Sequence, residues 1–182
     1  MERGESRTVE FKASARWNLH RGDRDQAIER EIVKAVAGFM NAYGGTLLIG
    51  VNDNHEAVGL ENDYKLTRKG NHKPRDSFEN WLTDLFDNSI GKPALANTSI
   101  TFEEVDGHDV CCVAVRPSRK PVYVSGKQTK DFYVRVNNGT RSFDIEQAFQ
   151  CYIIRQRWQV VVLRLALRRP WSVVVPGRAR TV

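Results

Sequence analysis

The sequence has no apolar run approaching the roughly 20 residues that a membrane-spanning helix requires, and its start carries no apolar signal region. A soluble, cytoplasmic chain with no membrane partner is expected. Cysteine is scarce: Cys111, Cys112 and Cys151 are odd in number, and the adjacent pair falls on a run that reads as a strand, which would point the two thiols to opposite faces. No disulfide framework follows, and a reduced chain is the simpler reading. A phosphate loop of the form G-x-x-x-x-G-K-S/T is also missing, so an ATP site is the weakest option, and Gly44-Gly45 is better explained as a helix stop. No acidic residue follows position 159. Of the formal charge of +6, Arg164, Arg168, Arg169, Arg178 and Arg180 supply +5, so the body is close to neutral. Its basic residues bear on nucleic-acid binding only if the fold clusters them.

What is present fits one domain with a real hydrophobic core in a chain of 182 residues. Residues 1–158 read as that domain. Residues 159–182 read as an Arg/Val-rich C-terminal extension, expected to be poorly ordered and to add little to function; a basic tail that binds nucleic acid is the other reading. A first strand is expected at about Arg7 to Ala13, followed by a polar loop from Arg16 to Arg24 that packs back through Trp17. Asp25 can cap a helix whose Ile28, Ile32, Val36, Phe39 and Met40 recur at helical spacing. Thr46 to Val51 reads as a buried strand, and Ala57 to Leu60 as its hairpin partner.

Asn62 to Arg75, with Lys65, Arg68, Lys69, Lys73 and Arg75, reads as an exposed loop. Asp76 and Glu79 suggest the start of a helix with Phe78, Trp81, Leu82, Leu85 and Phe86 on one stripe. Thr98 to Val105 and Val110 to Val115 form a hairpin about Asp106-Gly107-His108, and Val122 to Val124 pairs with Asp131 to Val136. In the loop Asn137 to Thr140, Gly139 is expected to take a positive φ. A last helix from Asp144 to Trp158 would turn Ile145, Ala148, Phe149, Tyr152 and Ile153 inward. Without a repeating strand-helix unit, the class is α+β, a single mixed, largely antiparallel sheet with two to three packed helices.

Three carboxylates and a lysine stand out beside the apolar runs: Glu5, Glu10, Lys12 and Asp53. Alternation in the first strand puts Glu10 and Lys12 on one face while Val9 and Phe11 enter the core. Glu5 stands at an odd offset from Glu10 and joins that face only if the chain turns near Ser6 to Thr8. Asp53 follows the apolar run, where loop chemistry begins.

Several segments in this order resemble the Schlafen AlbA_2 domain: Glu5-Ser-x-x-Val-Glu-Phe-Lys12, the helix end Ala37 to Gly45, Leu48 to Asp53, Val58-Gly-Leu60, Pro121-Val-Tyr123 and Phe132 to Thr140. The likeness spans about residues 5 to 158. Bacterial members of the family are described as DNA-binding or ATP-binding domains. Vertebrate Schlafen relatives include metal-dependent endoribonucleases that cut tRNA and rRNA with three acidic residues. The resemblance implies that Glu5, Glu10 and Asp53 match that trio, with Mg²⁺ or Mn²⁺ as the ion and structured RNA such as tRNA as substrate. Hard divalent ions prefer oxygen ligands and can neutralise charge developing on a phosphodiester, and Lys12 could assist as a cation at the reacting centre. The plain alternatives are a same-face ion pair between Glu10 and Lys12, and a non-catalytic DNA-binding or regulatory module.

The vertebrate enzymes form their RNA groove from two such lobes, and a homodimer could supply the second wall here. Those relatives also carry a structural zinc; Cys111-Cys112 lacks the further ligands, so no zinc is expected. For nucleic-acid contacts the candidates are Lys12, Arg16, Arg21, Arg135 and Arg141, with Trp17 as a stacking surface.

Overall fold

A computed structural model describes residues 5–67, 72–126 and 129–154. The expected C-terminal extension, 159–182, lies outside the described residues, as do 155–158 of the expected last helix. The chain divides into two compact units, Met1–Ala148 and Phe149–Val182. In the second, residues 149–154 are helical, and Phe149 is 64% exposed.

In the first unit the main sheet has four strands, β1 (Val9–Lys12), β4 (Gly45–Ile49), β5 (Thr98–Val105) and β6 (His108–Val115), in the order β1-β4-β6-β5. The β1–β4 pair is parallel and the other two pairs are antiparallel, which gives the mixed, mainly antiparallel sheet of an α+β fold. Two smaller antiparallel sheets accompany it, one of β2 (Trp17–Asn18) and β3 (Asp23–Arg24), the other of β7 (Val124–Ser125), β8 (Lys130–Val136) and β9 (Gly139–Phe143).

Helix α1 (Gln26–Met40) forms as its sequence predicts, with the Asp25 side chain accepting from the Ala27 N–H at its N-terminus. Its Ile32, Val36, Phe39 and Met40 meet Leu47, Ile49, Cys111 and Val113 of the sheet, and Phe78, Leu82 and Phe86 of α3 (Pro74–Ser89) in one core. Each of these side chains is fully buried, worth roughly 1.5–3 kcal/mol apiece for the larger ones. Asn41, just past α1, ties this layer to the small β7-β8-β9 sheet. Its amide donates to the Val122 and Tyr133 carbonyls at 2.7 and 2.9 Å and accepts from the Val122 N–H at 2.9 Å. Gly44 then turns the chain into β4 with φ +78°. A Cβ there would stand 2.6 Å from the Val115 carbonyl, so only glycine fits.

The structure departs from the sequence reading at several points. Part of the expected basic loop is a helix, α2 (Glu61–Thr67), whose Asp63 faces inward to serve backbone donors. Helix α3 begins two residues before Asp76, with Pro74 in its first turn and no side-chain cap, because proline needs no N–H partner there. A further helix, α4 (Lys92–Asn97), precedes β5. The partner strand expected at Ala57 to Leu60 is reduced to a single bridge, Val51 with Ala57. In the 137–140 turn it is Asn137, not Gly139, that has the positive φ, 56°, and Gly139 opens β9. Ile145, expected to face inward, is 91% exposed, while Ala148 is buried.

Candidate functional site

Strand β1 lies at the edge of the main sheet, so one row of its backbone groups has no strand beside it. Side chains close that edge. The Phe11 N–H donates to Glu5 Oε1 at 3.2 Å, and the Phe11 carbonyl accepts from Lys12 Nζ at 3.0 Å. The Val9 carbonyl accepts from Arg135 Nη2 at 3.0 Å and from the Ser6 N–H at 3.0 Å, which turns the chain back on itself as the Glu5 offset requires. Arg135 also donates to the Ser6 carbonyl and stacks over Phe39, 5.1 Å from the ring centre.

Strand β1 alternates as expected, with Phe11 buried among apolar side chains and Glu10 and Lys12 on one face, but that charged face is not the open one. Glu10 is in register with Leu47 and Lys12 with Ile49, both fully buried on the helix-covered face. Val9 and Phe11 instead join a smaller cluster with Leu48, Val51, Ala57 and Val110. A carboxylate is tolerated on the core face because Arg135, reaching from β8, pairs with Glu10 Oε2 while Lys12 Nζ takes Glu10 Oε1 at 2.5 Å. Both carboxylate oxygens are thus held by cations. The Arg135 side chain is 1% exposed.

Asp53 stands exposed in the turn after β4, a turn closed by Asn52, whose Oδ1 accepts from the Asn54 and Glu56 N–H groups at 2.9 Å. The Val51 N–H donates to the Lys12 carbonyl at 3.2 Å, so this turn rises from the end of the sheet at which β1 finishes. The acidic trio therefore comes from adjacent segments, yet among the described residues no three His, Cys, Asp or Glu side chains form a group that could hold a metal ion. With Glu10 neutralised on both oxygens and Glu5 accepting from a backbone donor, the donor set does not fit Mg²⁺ or Mn²⁺ as it stands. The Cys111 thiol is buried in the core, and desolvation pushes its pKa well up.

The expected nucleic-acid contacts divide in two. Arg135 is committed to Glu10 and the β1 edge. Arg16 is buried as well: its Nε donates to Glu29 Oε1 at 3.1 Å and its guanidinium lies 4.4 Å from the centre of the Trp81 ring. Burial lowers the Arg16 pKa, with the Arg24 charge adding to the effect and Glu29 opposing it. Neither arginine can reach a phosphate without unfolding its surroundings. Arg21 is exposed and pairs with Asp23 and Asp25, Trp17 is half-buried on β2, and Lys12 is held by Glu10. Arg141 is exposed on β9.

Sequence reasoning missed a second buried network. Asp63, 1% exposed, accepts from Ser14 Oγ at 3.0 Å and from the Ala15 and Arg16 N–H groups at 3.4 and 2.9 Å. Desolvation outweighs these bonds and pushes its pKa up to about 6. Also missed was Asp109, which accepts from Tyr64 Oη at 2.7 Å and from Arg75 Nε at 3.1 Å; the Arg75 bond holds its pKa below the usual range. An acid inside a Lys-rich stretch was the one available signal for Asp63.

The two ends of the main sheet differ in charge. Asp53 and Glu56 follow β4, Asp106 lies in the β5–β6 turn, and Glu103 and Glu104 end β5, all at one end. At the opposite end, Arg7 precedes β1, Tyr43 precedes β4, and Arg116, Arg119 and Lys120 follow β6. These segments are neighbours: the Thr46 N–H donates to the Thr8 carbonyl, Gly45 is in register with Val115, and the Ser118 N–H donates to the Met40 carbonyl at 2.8 Å. No acidic residue occurs between positions 110 and 130.

An α+β domain of this kind, with an edge strand locked by a buried arginine, defines the fold class. The sequence profile described as Schlafen, AlbA_2 matches residues 5–144, and the chain belongs to that family. No curated protein sequence matches it. Among solved structures, the DIP2311 protein from Corynebacterium diphtheriae is similar in fold, with a TM-score of 0.55 and 18% identity over 79% of this chain. This chain spans only 26% of that protein. The N-terminal domain of a RecG-related protein from Nitrosomonas europaea matches with a TM-score of 0.47 and 20% identity, over 79% of this chain and 86% of that one. No helix among the described residues is long and apolar enough to cross a membrane.

Proposed function

We propose that this chain is a nucleic-acid-binding domain in which Glu5 and Glu10 serve the fold. The observation that carries the reading is the charge separation along the main sheet, which gathers Arg7, Arg116, Arg119 and Lys120 at one end. Lysines and arginines that neutralise phosphates release counterions and so generate salt-dependent affinity. Membership of the Schlafen AlbA_2 family agrees with this reading.

The finer reading, a Mg²⁺- or Mn²⁺-dependent endoribonuclease acting on tRNA through Glu5, Glu10 and Asp53, is favoured by the nearness of the three segments. It is opposed by the state of their side chains, since Glu10 is paired with Arg135 and Lys12, and Glu5 accepts from the Phe11 N–H. Fluorescence anisotropy with labelled single-stranded and duplex oligonucleotides, repeated across a salt series, tests the proposal. Three or four phosphate contacts to a single strand predict that log K falls with log salt at a slope of about −2 to −3. Absence of binding at low salt overturns it.

A further inference from the structure

Tyr43 is 66% exposed, an unusual position for a tyrosine beside a glycine pair that closes tightly onto the sheet. Its ring carries the Arg7 guanidinium at 3.7 Å from the centroid. Arg7 is itself exposed, and no carboxylate among the described residues pairs with it. Glu5, the nearest acid in sequence, is drawn the other way, onto the Phe11 N–H.

We infer that Tyr43 and Arg7 form a stacking platform for an unpaired base, flanked by phosphate contacts from Arg116 and Lys120, so that this end of the sheet selects single-stranded nucleic acid. This rests on the nucleic-acid-binding reading and specifies its site and substrate class. The positions follow from the strand register. Thr8, just before β1, lies level with Gly45 and Val115, which end β4 and β6, and strands lie about 4.8 Å apart. The residues just beyond them therefore form a row across the sheet end. Pro117 packs against Gly44, its Cδ lying 2.9 Å from where a Cβ would stand, which holds the 116–120 loop beside Tyr43. Arg116 is anchored by Nη2 donating to the Ala96 carbonyl at 2.7 Å and remains exposed, as does Lys120.

The chemistry of the pair selects the ligand. A tyrosine ring covered on one side by a guanidinium is rigid and electron-poor, and it offers an apolar surface to any base with a free π-face. Bases within a duplex have none to offer except at the ends. Arg7, held 3.7 Å over the ring and exposed, sets a positive charge beside the phosphate of a nucleotide stacked there. Such a platform tolerates sequence changes, because stacking reads no hydrogen-bond pattern.

The test uses the full chain and labelled oligonucleotides, one single-stranded and one blunt duplex of equal length, followed by anisotropy. The wild type is expected to favour the single strand. Tyr43→Ala should weaken single-strand binding by roughly 5- to 150-fold, the equivalent of one stacked base, and Tyr43→Phe should retain it. Lys120→Gln should reduce the salt slope by about 0.7, and Lys65→Gln, on α2, should leave it unchanged. Thermal melting of each variant separates lost binding from lost folding. If the wild type binds no nucleic acid, the nucleic-acid reading itself fails. If it binds, but folded Tyr43→Ala and Arg7→Gln stay within twofold of it, the platform is wrong and another surface makes the contact.

Discussion

Replacing Arg135 by Met should destabilise the domain by about 3–5 kcal/mol, the cost of leaving one member of a buried ion pair without its partner. The pair is nearly inaccessible, with the Arg135 side chain 1% and the Glu10 side chain 12% exposed. The substitution also removes the donors to the Ser6 and Val9 carbonyls, and an unsatisfied buried carbonyl costs roughly 1–3 kcal/mol by itself. Lys12 offsets part of this by remaining on Glu10. Glu10→Gln should destabilise too, because it leaves the buried guanidinium without an anion. The double variant Glu10→Gln/Arg135→Met should be less damaging than the sum of the two, since neither charge is then stranded. Urea denaturation followed by circular dichroism gives the energies, and melting should fall by roughly 6–20 °C for the Arg135 variant. A carboxylate kept for catalysis gives the opposite result at position 10. If Glu10→Gln is neutral or stabilising and the two changes are additive, the claim that Glu10 serves the fold is refuted.

Three further outcomes follow from the same structure. Asp63 has its pKa raised to about 6 against an ordinary 3.8, so the folded chain holds that proton more tightly than the unfolded chain. Its contribution is therefore greatest below about pH 4 and declines as pH rises through 6, and the stability difference between wild type and Asp63→Asn should drift in the variant's favour by about 1–3 kcal/mol over that window. A flat difference would show that the carboxyl is not the group responsible. Asn41→Ala removes three hydrogen bonds, two with Val122 and one with Tyr133 of β8, and should cost about 3 kcal/mol or more in chemical denaturation, whereas an effect below 1 kcal/mol would mean that water replaces the amide. Arg16→Ala should lower stability but leave nucleic-acid affinity of the folded protein unchanged, because its guanidinium is bound to Glu29 and covered by Trp81; a selective loss of affinity would restore it as a contact.

Local chemistry made much of the fold legible. Asp25 and the 3.6-residue spacing from Ile28 announce α1, and Asp106-Gly107, with φ of 52° and 80°, supplies the turn that fixes β5 on β6. The alternation of β1 was legible, but the burial of its charged face was not: Glu10 is held there by Arg135, 125 residues away. The same distance explains why Arg135 reads as a free cation in sequence and is a buried clamp in the fold. Helix α2 was hidden for a related reason. Its Lys and Asn residues resemble a loop, and what stabilises it is Asp63 meeting donors at Ser14 to Arg16, 47 to 49 residues earlier. The acidic trio was found as a set of positions, but its side-chain partners depend on contacts that no local pattern contains.

The central claim is that the chain binds nucleic acid through its basic sheet end and uses Glu5 and Glu10 for folding rather than for catalysis with Asp53. The most direct test incubates wild-type protein and Asp53→Ala side by side with a tRNA pool and labelled single-stranded DNA, in Mn²⁺ and in EDTA, reading binding and fragments from the same samples. The account predicts salt-sensitive binding of equal strength in both proteins, with or without the metal, and intact nucleic acid throughout. Discrete fragments that require both Mn²⁺ and Asp53 would contradict it and make the trio a catalytic site.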